Sequence, residues 1–271
     1  MTTLPQPPTS AQTLFAASLF HYDTIAQIDR QRILESLTHN KFVCLRGLLS
    51  PERVRQAKAT LQAAFDAAND HPSIGEKPSE AQTNFQKLSI GATKTHPMQE
   101  SYGRFLRVIF NPMWQDDIYA MHDIFERLIQ VRNLLAGQPL DFASRSVEDG
   151  LWSATRILQY PTGGGYLQAH RDAKFSFITS EAEQSYYQVF TVLSEKGKDF
   201  ERGGGFIEID GQNVVLDDLM SLGDITIYDG ATRHGVEIVD PHKTLDMSCI
   251  NGRLSAFVNL YQDWASGLRH F

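Results

Sequence analysis

The chain has 271 residues and a net charge of −7, which is enough length for a substantial core and gives no electrostatic reason to bind nucleic acid. No apolar run is long enough to span a bilayer, and Met1 to Pro8 lacks the basic and apolar regions of a signal peptide, so the expectation is a cytoplasmic protein without a membrane partner. Cys44 and Cys249 stand far apart and need no disulfide, which fits a reducing compartment.

Residues 1–20 are rich in Pro, Thr and Gln and read as a loosely ordered segment. From Asp23 to Leu37 the apolar positions Ile25, Ile28, Ile33, Leu34 and Leu37 are spaced roughly as on a helix, with Asp23 as its N-cap. Phe42 to Leu45 reads as a strand. Ser50 is a cap and Pro51 opens a helix reaching Asn69, with Val54, Ala57, Leu61, Ala64 and Phe65 on one face. Residues 70–103 carry Pro72, Gly75, Pro78, Gly91 and Pro97 and read as loop, either a lid over a site or a surface excursion. Met113 to Leu135 reads as a further helical region. Residues 21–271 thus form a single domain, with helical support over 21–150 and a strand-rich core over 151–265.

In that core Ala154 to Tyr160 reads as extended, Pro161 to Gly165 as a turn, and Tyr166 to Asp172 as the next strand. Gly203 to Gly205 looks like the entry to a strand over Phe206 to Ile209, and no helix with Lys-Ser/Thr follows to make it a phosphate cradle. Apolar residues alternate at Ile225 and Ile227, then at Val236 and Ile238 beyond the turn at Asp229 and Gly230.

The chemistry-bearing residues fall in these strands. On a strand, residues i and i+2 share a face, so His170 and Asp172 aim together while Arg171 points away. His234 has to arrive from a different strand. Two imidazoles and one carboxylate can cap one face of an Fe(II) octahedron and leave three positions open; zinc with a bound water is the competing use of the same ligands. Arg253 and Ser255 obey the same i, i+2 rule. A guanidinium grips a carboxylate with two hydrogen bonds and a hydroxyl adds one more, so the pair reads as a carboxylate clamp. A buried arginine needs an anion, and a dicarboxylate held at its other end by the metal would supply one. Tyr160 is either a further donor to that ligand or a packed core tyrosine. A second His-x-Asp, His21 and Asp23, lacks the glycine-rich strand context.

In this order the segments resemble the 2-oxoglutarate/Fe(II)-dependent dioxygenase superfamily. Tyr160 to Asp172 is similar to the family's first-ligand segment, with the Tyr-to-His spacing of prolyl-hydroxylase-like members, and Lys41 to Glu52 resembles the opening of phytanoyl-CoA-hydroxylase-like members. The resemblance implies a mainly β fold with supporting helices (α+β), namely a double-stranded β-helix or cupin-like jelly roll with N-terminal helices packed on it. It implies Fe(II) on His170, Asp172 and His234, 2-oxoglutarate held by Arg253, Ser255 and Tyr160, and dioxygen as cosubstrate. The outcome would be hydroxylation of an unactivated C–H bond with release of succinate and carbon dioxide. Family halogenases carry Gly or Ala in place of the carboxylate, so Asp172 argues for oxidation without halide. The interval from His234 to Arg253 is longer than in many members, with Asp240 to Asn251 as an inserted loop.

The expected substrate is a small metabolite that carries a carboxylate, such as an amino acid or a derivative. Arg104, Arg107, Trp152, Arg156, Gln188 and Arg233 are the polar and aromatic candidates for the mouth of the site. Four other readings stay open: a cupin-like metal enzyme that does not use 2-oxoglutarate, a zinc hydrolase, an oxygenase acting on a protein or peptide, and a non-catalytic jelly-roll binding module.

Overall fold

The computed structural model describes residues 10–71, 78, 81, 85–91, 103–172 and 185–263. The N-terminal third is built by capped helices. Ser10 accepts from the Thr13 N–H at 3.2 Å and starts α1 (Ala11–Ser18), where loose order was expected. Packing explains the helix: Phe15 is buried against Phe42, with ring centroids 6.2 Å apart. The strand that follows, β1 (Leu19–His21), pairs in parallel with β2 (Val43–Arg46).

Asp23 is not a cap. Thr24 precedes a short 3-10 turn, Ile25–Gln27, and Gln27 Oε1 accepts from the N–H groups of Asp23 and Thr24 at 2.9 and 3.0 Å. Asp29 caps α2 (Arg30–Asn40). Ser50 caps α3 (Pro51–Ala64), which ends before Asn69 because Asp66 starts a separate 3-10 turn, Ala67–Asn69.

The stretch read as loop contributes β3 (Asp70–His71), β4 (Gln86–Ser89) and β5 (Gly103–Arg104); a lid falls otherwise on residues outside those described. Then come β6 (Leu106–Phe110) and α4 (His122–Ala136). Helix α4 starts later than Met113 because Asp117 fixes a turn ahead of it, accepting from the N–H groups of Met121 and His122.

Among the described residues eight further strands complete the fold: β7 (Leu151–Tyr160), β8 (Tyr166–His170), β9 (Tyr187–Val192), β10 (Gly204–Ile209), β11 (Gln212–Val215), β12 (Ile225–Asp229), β13 (His234–Glu237) and β14 (Arg253–Gln262). They divide between a nine-stranded sheet, β1-β2-β12-β9-β14-β7-β6-β4-β3, and a five-stranded sheet, β11-β10-β13-β8-β5. The chain crosses repeatedly from one sheet to the other, which is the winding of a double-stranded β-helix. The strands that open and close this core, β7 and β14, pair antiparallel along their whole length, from Tyr160 opposite Arg253 to Leu151 opposite Gln262.

The large sheet has two working faces. On one, Val189, Ile225, Ile227, Ala256 and Val258 pack with Ile33 and Leu37 of α2, Val54 and Leu61 of α3, and Phe125 and Leu128 of α4. Each Val, Ile, Leu or Phe side chain among them contributes about 1.5–3 kcal/mol when fully buried. On the other face Phe190, Tyr228 and Phe257 meet Ile207 and Val236 of the small sheet. The alternation expected to reach Ile238 stops at Val236: β13 ends at Glu237 and Ile238 is 48% exposed.

The loop from Asp240 to Asn251 is pinned down. Asp240 is fully buried; its carboxylate accepts from the N–H groups of Glu201 and Arg202 at 2.8 and 2.7 Å, and its carbonyl accepts from Gly163. Among the described residues no helix is long and apolar enough to cross a membrane.

Candidate metal centre and carboxylate clamp

The end of β8 and the start of β13 lie side by side, so His170 and His234 are cross-strand partners. Between this pair and the next, Val236 with Leu167, β13 advances two residues and β8 three, which is a β-bulge at the point where a ligand is aimed. Each imidazole Nδ1 stands 2.9 Å from a backbone carbonyl, Gln168 for His170 and Thr232 for His234. A carbonyl can only accept, so Nδ1 carries a proton in both rings and Nε2 is the nitrogen that would ligate a metal.

Asp172 completes the group. His170 Nε2 is 3.7 Å from Asp172 Oδ1 and His234 Nε2 is 3.8 Å from Asp172 Oδ2, and one ligand atom from each residue lies within 4.8 Å of the others. Burial pulls the His234 imidazole below its usual range, with His170 adding and Asp172 opposing, so His234 favours the neutral form that a metal needs. Two imidazoles and a carboxylate with separations of this size fit a divalent transition metal such as Fe(II).

Around Asp172 lies a polar network of which the sequence marks only Arg156 and Gln188. Tyr186 Oη donates to Asp172 Oδ2 at 3.0 Å. Asn259 Nδ2 donates to Tyr186 Oη at 2.6 Å, and Gln188 Nε2 donates to Tyr228 Oη at 2.7 Å. Burial, helped by the Asp172 charge, pushes both phenols well above their usual range, so they remain donors. Arg156 donates to Tyr261 Oη at 2.5 Å and to Asn259 Oδ1.

The clamp sits at the other end of the same cavity. Arg253 stands opposite Tyr160 in the β7–β14 ladder, its guanidinium 6.0 Å from the centre of the tyrosine ring. Both line the cavity together with His170, Asp172 and His234. Ser255 is fully buried and accepts from Arg253 Nη1 at 3.2 Å.

Arg253 also has an anion from the chain itself: its Nε lies 2.9 and 3.1 Å from Oδ2 and Oδ1 of Asp217, and Oδ2 also accepts from the Gly205 N–H at 2.6 Å. A Cβ on Gly205 would stand 2.5 Å from Arg253 Nη2, so this position has room only for hydrogen. The expectation that the arginine's counter-charge comes from a ligand is therefore corrected: Asp217 supplies one. A signal was present, an acidic residue directly after the apolar run Val214 to Leu216, but nothing local ties it to Arg253.

Of the remaining candidates, Arg156 and Gln188 line the cavity. Arg107 faces away, donating to Asp70 at 2.7 and 2.5 Å and to the Met247 carbonyl at 2.8 Å. Trp152 is buried edge-on to Trp114 and Tyr261. Arg104 is exposed and lies over Phe105, and Arg233 is exposed with Glu208 3.4 Å away. Tyr186, Asn259 and Tyr261 were not singled out from the sequence. Counting in twos along β14 from Arg253 would have placed Phe257, Asn259 and Tyr261 on the clamp's face.

No protein-family model and no curated protein matches the chain. Solved structures do. A prolyl hydroxylase from Trichoplax adhaerens, in complex with a hypoxia inducible factor oxygen degradation domain peptide, is similar with a TM-score of 0.53 at 10% identity over 89% of this chain and 93% of its own. A prolyl-4-hydroxylase from Pseudomonas putida gives a TM-score of 0.49 at 14% identity over 86% and 99%. The non-heme alpha ketoglutarate dependent epimerase SnoN from nogalamycin biosynthesis gives 0.48 at 15% identity over 86% and 82%. The first likeness agrees with the sheet topology in establishing the fold, a double-stranded β-helix with helices against its large sheet.

Proposed function

We propose that this chain is an Fe(II)- and 2-oxoglutarate-dependent oxygenase that hydroxylates an unactivated C–H bond of a small metabolite. The observation that carries the reading is the grouping of His170, Asp172 and His234 within 4.8 Å in one cavity whose wall also holds Arg253 and Tyr160. Bound Fe(II) with 2-oxoglutarate would supply the oxidising chemistry, with succinate and carbon dioxide as products.

The chain's own residues have separate tasks. The two imidazoles and Asp172 would hold the metal, each imidazole fixed by its Nδ1–H on a backbone carbonyl. Tyr186 keeps the Asp172 carboxylate oriented. Arg253 would grip the far carboxylate of 2-oxoglutarate, with Tyr160 beside it and Ser255 holding the guanidinium. The cavity encloses about 150 Å³ between the two sheets, which suits a small substrate better than a folded protein surface. Phe190, Phe206 and Phe257 give it apolar walls that exclude water.

The Arg253–Asp217 pair favours one competing reading, a cupin-like metal enzyme that does not use 2-oxoglutarate, because the clamp arginine already has a carboxylate. An anaerobic titration separates the two. Apoprotein takes up Fe(II), then 2-oxoglutarate, while the visible spectrum is recorded. A saturable band that is lost in Arg253→Ala supports the oxygenase. Iron uptake without a band supports the competitor. Loss of iron binding is expected in His170→Ala and Asp172→Ala; undiminished binding in either removes that residue from the site.

A further inference from the structure

We propose that Arg156 anchors a carboxylate of the primary substrate, in a subsite at the end of the cavity remote from Arg253. The inference rests on the oxygenase reading and deepens it. It names the substrate class as small carboxylic acids with an apolar body.

The ladder of β7 and β14 lays out the cavity floor in rungs. Tyr160 and Arg253 form one rung, Leu158 and Ser255 the next, and Arg156 and Phe257 the third. Beyond them Asn259 and Tyr261 continue the same face of β14. Arg156 is four residues from Tyr160, about 13 Å along the strand at ~3.3 Å per residue. The cavity thus has a guanidinium at each end. The 2-oxoglutarate clamp accounts for one of them.

Three features make Arg156 a built anion site. It is 9% exposed and lines the cavity. Its plane is set before any ligand arrives: it donates to Tyr261 Oη at 2.5 Å and to Asn259 Oδ1, with its carbon 4.9 Å from the Tyr261 ring centre. A guanidinium is planar and pairs with the two oxygens of a carboxylate through parallel N–H donors. Finally, it is tied to the metal centre through Asn259 and Tyr186, which end on Asp172. A group held by Arg156 is therefore registered against the reacting position.

The surface between the poles is apolar. Phe257 and Phe190 stack with centroids 4.7 Å apart and planes 9° off parallel, and Leu158 and Val108 also line the cavity. A substrate with its carboxylate on Arg156 would lay a hydrocarbon or aromatic body across this floor, toward His170 and His234.

The test uses protein loaded anaerobically with Fe(II) and 2-oxoglutarate. Melting temperature and the visible band are followed with a panel of amino acids, N-acetyl amino acids and short aliphatic and aromatic acids, each paired with its methyl ester. The expected result is that at least one acid raises the melting temperature and perturbs the band while its ester does neither. Arg156→Gln should weaken that acid at least tenfold, and Arg156→Lys, which keeps the charge without the fork, by several-fold. Loss of the 2-oxoglutarate titration in both variants would assign Arg156 to support of the metal centre and overturn the subsite.

The inference is overturned if no acid acts, if acids and esters act alike, or if the effect is undiminished in the variant that folds. Failure of 2-oxoglutarate to titrate into the unaltered protein would instead overturn the oxygenase reading itself.

Discussion

Arg253 donates through Nε to both carboxylate oxygens of Asp217, at 2.9 and 3.1 Å, in a pair whose side chains are each 2% exposed. Removing one partner of a buried pair strands the other charge. Asp217→Ala should therefore cost about 3–5 kcal/mol of folding stability, read by urea unfolding, and should weaken 2-oxoglutarate binding because the guanidinium loses its orientation. Asp217→Asn keeps an acceptor and should cost less. Unaltered stability in Asp217→Ala would mean that the pair does not hold Arg253 in place.

Gly205 tests the same corner by bulk instead of charge. An added Cβ would meet Arg253 Nη2 at 2.5 Å, well inside contact distance, so Gly205→Ala must push the guanidinium aside. The expected outcome is a folded protein that binds Fe(II) normally and needs at least tenfold more 2-oxoglutarate for the visible band. Normal 2-oxoglutarate affinity would show that the cosubstrate does not depend on this placement of Arg253.

Tyr186→Phe removes the hydrogen bond to Asp172 and leaves the ring. Groups that orient metal ligands in this way typically matter by about 10–100-fold in metal affinity or activity. A competition titration with a metal chelator should show weaker Fe(II) binding in the variant. No change would mean that Asp172 is held well enough by the backbone.

Asp240 makes a pH prediction. Burial alone would raise its carboxyl, but the N–H of Arg202, the Lys243 ammonium and the N–H of Glu201 outweigh burial and hold it below its usual range. A depressed carboxylate contributes stability that is present above its unfolded value, about 3.9, and is lost as pH falls through the folded one. Asp240→Asn should lower the melting temperature at pH 7, corresponding to about 1–3 kcal/mol, and the gap from the unaltered protein should narrow toward pH 3. A gap independent of pH would assign the loss to packing instead of charge.

The parts of the fold with short-range signals were legible in the sequence. Alternating apolar residues and glycine turns marked β7, β8, β12 and β13, and Ser50 with Pro51 marked the start of α3. The i, i+2 spacing put Arg253 beside Ser255; Asp172 also lies beside His170, but past the end of β8, which stops at His170 and not at Asp172 as expected. What was missed depends on distant segments. Helix α1 forms because Phe42 is there to receive Phe15. Asp217 reaches Arg253 only because β10 and β14 lie on facing sheets. Asn259 and Tyr186 meet because β14 pairs with β9, just after Tyr186, a register no local pattern encodes.

The antiparallel ladder of β7 and β14 carries both guanidinium-bearing rungs, while His170 and His234 project from the opposite sheet. Strand rise is among the stiffest dimensions in a protein, so the span between Arg253 and Arg156 works as a ruler graduated in units of two residues. Whatever fills the cavity is measured against it. Lengthening an acid by one methylene extends its far end without moving its anchor. Oxidation should therefore stay at the same distance from the carboxylate along a homologous series, and the oxidised carbon should shift only when counted from the far end.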